Sequence, residues 1–160
     1  MLKVVSNTTP ILALLSINQL DLLAKLYDKV FIPQGVYQEI EKGKQKPFYA
    51  DLTQIAYLQI MTIQNPAPLA YLQDLDRGEA ETIVLANELK ADLVIIDEKL
   101  GRYWAESFGH KITGTLGILV RAKKMGFISH IKPFIDSMQT KNIWFNSALI
   151  QKVLETVGEN

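Results

Sequence analysis

No cysteine occurs among the 160 residues, and histidine occurs only twice. The first absence excludes disulfides, thiolate-bound zinc and thiol catalysis, and suits a reducing compartment. The second leaves His110 and His130 isolated, with no partner at ligand spacing, so neither is assigned a metal or a catalytic role. Charge of one sign is lacking too: 17 basic and 17 acidic residues cancel. A general positive field for nucleic acid is therefore excluded, and any such contact must come from a local basic patch. No apolar run approaches the length of a membrane span, and "MLKVVSNTTP" has no long apolar h-region. The expectation is a cytoplasmic domain without membrane contact. Glycine-rich phosphate turns are missing as well. "SNTTP" does not resemble the first turn of a dinucleotide fold, and there is no P-loop. A phosphotransfer domain would need an acid at Asn7 or after "YLQIMTI", and neither place has one.

What the chain does have is apolar surface. Its 48% hydrophobic content is enough for the core of one domain spanning residues 1–160. Continuous apolar runs at 2–6, 29–33, 57–63 and 93–96, with a weaker one at 110–113, predict strands. Helical spacing covers 10–26, 34–42, 68–73, 78–90, 98–108, 114–125, 131–140 and 146–157, with loops at 41–47 and 64–68. Strands that are apolar on both faces and alternate with helices predict an α/β fold with a mainly parallel sheet covered on both sides. The last helix carries an apolar stripe at 149, 150, 153, 154 and 157, expected to pack on the body.

In such a sheet the functional crevice lies beyond the carboxyl ends of the strands. Asn7 ends the first run and Asp97 ends "LVIID"; they come together if the first and fourth strands are neighbours. Two helices can add carboxylates. In "PQGVYQEIEKG", Gln34, Gln38 and Glu41 form a solvated face, while Glu39 falls on the inward stripe with Val36 and Ile40. In "LDRGEAETIVLANELKAD", Glu81 and Glu88 share a face assigned to solvent, and Glu79 points the other way. Carboxylates about 4 Å apart repel by roughly 4 kcal/mol at an effective dielectric of 20. They stay ionised together only around a positive charge. Oxygen ligands without His or Cys suit Mg²⁺ or Mn²⁺, which lower the pKa of bound water and stabilise charge on a phosphate. Each position also has a plainer use: helix capping for Asn7 and Asp97, a first-turn dipole partner for Glu79, a surface acid for Glu39. Glu98 is either an auxiliary acid or a solvated one.

With these residues in place the sequence resembles a PIN domain, the nuclease fold that includes the VapC-type toxins. "VVSNTTPILAL", "IPQGVYQEI", "DRGEAETIVLANELKADLVIID" and "KITGTLGILVRAKKMGFI" follow the order of the family's motifs over about residues 3–125, leaving a helical extension at about 131–157. The resemblance implies a three-layer α/β/α sandwich and a metal-dependent ribonuclease. It implies Mg²⁺ or Mn²⁺ held by Asn7, Glu39, Glu79 and Asp97, RNA as substrate, a small antitoxin partner where the chain is a toxin, and a homodimer. The departure is Asn7, where the family usually has Asp. An asparagine carbonyl still ligates a hard cation, but it removes one negative charge and cannot act as a base. The alternative function is therefore a nucleic-acid- or protein-binding module with weak or no turnover.

Candidate contacts to nucleic acid are Thr8, Thr9, Lys99 and Arg102, together with Thr113 and Thr115, which bracket Gly114 ahead of a helix. The threonines have ordinary capping as the plainer reading. Tyr103 and Trp104 are either base-stacking residues or core. Arg77 lies near the expected crevice, and the basic runs at 42–46 and 121–124 are expected to be separate, solvated faces.

Overall fold

The computed structural model describes residues 2–160. Five short strands, β1 (Val4–Ser6), β2 (Val30–Pro33), β3 (Leu58–Met61), β4 (Leu93–Ile95) and β5 (Ile112–Thr113), form one sheet in the order β3-β2-β1-β4-β5. Every pairing is parallel, with Val5 opposite Phe31, Ser6 opposite Ile95, Pro33 opposite Met61 and Ile95 opposite Thr113. The first and fourth strands are neighbours. The strand order reverses between them, so the gap above β1 and β4 is the switch point where α/β sheets bind their ligands.

Eight helices cover the sheet: α1 (Thr8–Ser16), α2 (Leu22–Tyr27), α3 (Gln34–Glu41), α4 (Arg77–Leu89), α5 (Lys99–Ser107), α6 (Thr115–Lys124), α7 (Lys132–Thr140) and α8 (Ser147–Thr156). Side-chain alternation along the strands divides the core into two layers. Val4, Ile32 and Ile95 pack with Ile11, Leu14, Leu22, Leu119 and Ile135 on one face. Val5, Val94 and Ile96 pack with Ile83, Leu85 and Ala105 on the other. This is the three-layer α/β/α sandwich. No described helix is long and apolar enough to cross a membrane.

Three local expectations change. The stretch 10–26 is two helices, because Asn18 adopts φ 55°, a left-handed conformation that asparagine tolerates and a helix does not. Of residues 68–73, the first four belong to a 3₁₀ turn (Ala67–Tyr71) rather than an α-helix, and the last two are not helical. Glu81 does not face solvent, and Glu88 is half-buried at the solvent edge. Glu81 is 5% exposed; it accepts the Gly35 N–H at 3.0 Å and pairs with Arg77. Glu88 accepts from the N–H groups of Gln64 and Asn65 at 2.8–3.0 Å. Helix α4 is buried without a break from Gly78 to Ala86, wedged between the sheet, α3 and α5. A helix surrounded on all sides has no solvent face for an acid to occupy. The stripe on α8 does pack on the body through Ile150, Val153, Leu154 and Val157, leaving Leu149 exposed.

Candidate active site

Four helix termini converge above β1 and β4, and each delivers polar groups. Asn7 sits at the N-cap position of α1, yet its side chain makes no capping bond. Instead its Nδ2 donates to Glu98 at 3.3 Å, and its Oδ1 is buried with no hydrogen-bond partner. Such an orphaned oxygen costs about 1–3 kcal/mol. Thr8 Oγ1 donates to Glu39 at 2.9 Å, and Thr9 Oγ1 donates to the other oxygen of Glu98 at 2.8 Å. Glu39 comes in from α3 across Gly78 of α4. A Cβ on Gly78 would lie 2.8 Å from its carboxylate, so glycine permits the two helices to approach.

Glu79 is buried in the first turn of α4, beside Asp76, the N-cap, which accepts the Glu79 N–H at 2.8 Å. Burial, the Asp76 carboxyl and the charge of Glu98 push the Glu79 carboxyl up to about 7. Burial also raises Glu39, against the Thr8 hydrogen bond, with Asp76 and Glu98 adding to the shift. Glu39 and Glu79 therefore share the same acidic neighbours. Sequence reasoning passed over Asp76, although an Asp three residues before a Glu at a helix start is a capping signature that could have found it.

Asp97 turns the other way. Its two oxygens accept Thr115 N–H at 2.8 Å and Thr115 Oγ1 at 2.6 Å, capping α6 from outside that helix. Burial raises its carboxyl against those two bonds. Gly114 makes this possible, since a Cβ there would stand 2.5 Å from Asp97 Oδ1. Of the two adjacent acids, Glu98 is the one that reaches Asn7, and both line a cavity of about 510 Å³ with Arg102 and Thr113.

The expected nucleic-acid contacts divide in the same way. Thr8 and Thr115 are buried and spend their hydroxyls on carboxylates. Thr9 is half-buried and holds Glu98. Arg102 donates to the Ile96 carbonyl at 3.0 Å. Lys99 is exposed at the start of α5, and the Thr113 hydroxyl lies against Gly117. Trp104 is half-buried against the α4–α5 core, with Nε1 3.4 Å from Asp74, while Tyr103 is 62% exposed.

The donor set fits a hard divalent cation in kind: a free amide oxygen, several carboxylates and no competing nitrogen or sulfur ligand. The orphaned Asn7 Oδ1 is the direct sign, since a cation would satisfy it. Among the described residues no three Asp, Glu, His or Cys side chains stand close enough together to grip one ion. A cation here would rest on one or two carboxylates, the amide oxygen and water, the manner in which Mg²⁺ is usually held.

A parallel α/β/α sandwich whose switch point carries acidic side chains from several helices, and has no glycine-rich turn, lacks the phosphate cradle of a nucleotide-binding fold. The chain belongs to the PIN-domain family: the family model DUF3368, a PIN domain, matches residues 3–159. PIN domains are nuclease-type proteins that act on nucleic acid and generally use divalent metal ions. No curated protein is similar enough to count as a relative.

Proposed function

We propose that this protein is a metal-dependent ribonuclease, cleaving RNA phosphodiesters in the cytoplasm with Asn7, Glu39 and Glu79 as the ligands of Mg²⁺ or Mn²⁺. The observation that carries the reading is the buried, unpartnered Asn7 Oδ1 beside Glu98, at the switch point of a PIN fold. A bound divalent ion supplies charge neutralisation and a more acidic water. The chain's residues supply the rest. Thr8 orients Glu39, Asp76 orders the first turn that carries Glu79, and Thr9 and Asn7 hold Glu98 at the crevice mouth. Asp97, clamped by Thr115, fixes the N-terminus of α6 and is a positioning residue in this reading. In the hydrolysis a water oxygen bonds to phosphorus, the bridging P–O bond breaks, and the departing oxygen takes up the water's proton. Family membership supports extending the reading to a toxin held by a small antitoxin protein and acting as a homodimer.

The test is cleavage of labelled single-stranded RNA in Mn²⁺ or Mg²⁺. Metal-dependent products that fall to the level of an EDTA control in Glu39→Gln and Glu79→Gln support the reading. Intact RNA under every divalent ion refutes it. Asn7 favours a second reading, a binding module without turnover, because an amide brings no charge to the site. Binding without cleavage, together with a large gain of cleavage in Asn7→Asp, would establish that alternative.

A further inference from the structure

Glu81 spends its carboxylate on Gly35 and Arg77, outside the crevice, yet it sits on the same helix seam as Glu39. Helices α3 and α4 run in opposite directions there. Gly35, the second residue of α3, faces Glu81, while Glu39, one turn later, faces Gly78, the second residue of α4. The two contacts mirror each other. A Cβ on Gly35 would lie 3.1 Å from the Glu81 carboxyl, and a Cβ on Gly78 would lie 2.8 Å from Glu39 Oε2. In each, a glutamate of one helix rests on the bare backbone of the other. Glu79 leans the other way, onto α5, where a Cβ on Gly101 would come within 3.1 Å of its Oε2. Helix α4 thus holds Glu79 against one neighbour and, through Glu81, grips the helix that carries Glu39.

Helix α3 does not cap itself. Pro33 occupies the N-cap position and offers no side-chain bond, so the first N–H groups depend on partners from outside. Glu81 Oε1 accepts the Gly35 N–H at 3.0 Å, placing a carboxylate at the helix end where negative charge is favoured. Its Oε2 is taken by Arg77. With both oxygens engaged and the side chain buried, the carboxyl has one seat. One turn along the seam, Thr8 holds Glu39 at 2.9 Å. We infer that Glu81 is a positioning residue: by fixing α3 on α4 it sets where Glu39 stands relative to Thr8 and Glu79, and so whether one divalent ion reaches both carboxylates. The link to the ion rests on the cation reading of the crevice; the link to Glu39 does not.

The test uses the full-length protein as Glu81→Ala and Glu81→Gln, each shown by circular dichroism to be folded at the temperature used. Both remove the same charge, but glutamine keeps an acceptor for the Gly35 N–H, so the gap between them reads the bond alone. Free Mn²⁺ is followed by electron paramagnetic resonance, without RNA. Losing a partner that orients metal ligands costs about 10–100-fold in affinity, so Glu81→Ala should bind Mn²⁺ about 10-fold more weakly, with Glu81→Gln within about 3-fold of wild type. Amide NMR spectra in EDTA supply a readout free of metal. The Thr8 resonance should move in Glu81→Ala, because Glu39 leaves its hydroxyl, and should hold in Glu81→Gln. A cap that served stability alone would leave Thr8 unmoved in the folded variant. Wild-type Mn²⁺ affinity in Glu81→Ala, equal weakening in both variants, or an unmoved Thr8 resonance would overturn the proposal. Should Glu81→Ala not fold, Gly35→Ala takes its place, since its methyl displaces the carboxyl from the other side, with the same expected and overturning results. Where wild type shows no Mn²⁺ binding that Glu39→Gln weakens, the cation reading falls and the Thr8 resonance alone decides the positioning of Glu39.

Discussion

Asn7 retains a buried oxygen that nothing in the chain satisfies, while its Nδ2 reaches Glu98. Replacing it with Asp turns that contact into a repulsion worth up to about 4 kcal/mol at 4 Å and an effective dielectric of 20. Asn7→Asp should therefore melt earlier than wild type in EDTA, yet gain more stability from Mn²⁺ and cleave faster. Thermal denaturation with and without the ion, beside an RNA assay, checks both signs. Gly114 makes a second residue-scale case. A Cβ there meets Asp97 Oδ1 at 2.5 Å, so Gly114→Ala should break the clamp on Thr115. Leaving those buried groups unpaired should cost about 1–3 kcal/mol in urea unfolding. Gly78→Ala should differ, because the atom it meets is the far end of the flexible Glu39 side chain. It should stay folded and lose cleavage as that carboxylate leaves Thr8.

The elements show what the sequence disclosed and what it concealed. Continuous apolar runs located β1, β2 and β4 to within a residue or two, and the carboxyl-end rule placed Asn7 above the strand that proved to neighbour β4. Helical spacing put Glu39 and Glu79 among shared neighbours. It failed for Glu81, because face arithmetic assumes one wet side and α4 has none along Gly78–Ala86. Glu81 instead sits at the N-terminus of α3, where a carboxylate is favoured. Glu81→Ala should lose about 1–3 kcal/mol by orphaning the Gly35 N–H, and Glu81→Gln should lose less because it keeps an acceptor. Urea titrations of both variants check the order. Asp97 and Glu98 could not be told apart by position, since adjacent residues at a strand end diverge according to what the next helix offers. Thr115 takes Asp97, and Asn7 with Thr9 takes Glu98. A groove of about 930 Å³ between α1 and the segment 46–50 was illegible because two of its walls, Phe48 and Ile143, are about 95 residues apart in the chain.

Across the whole molecule, the last helices are tied to the body by one carboxylate near the C-terminus. Burial alone would raise Glu159, but Lys123 Nζ at 2.8 Å and the N–H groups of Ile131 and Lys132 hold it down to about 2. A carboxyl lowered on folding contributes stability above its ordinary value of 4.5 and loses it as pH falls through about 2. Wild type should therefore lose stability between about pH 4.5 and 2 more steeply than Glu159→Gln, with the difference constant above that window. Urea midpoints across the range would show it. The central claim is that side-chain oxygens from separate parts of the chain meet a divalent cation above β1 and β4. Crystals soaked in Mn²⁺ test it most directly. The account predicts an anomalous peak at bonding distance from Asn7 Oδ1 and from a carboxylate of Glu39 or Glu79. Crystals saturated with Mn²⁺ that show no peak there, or show one only elsewhere on the surface, would contradict it.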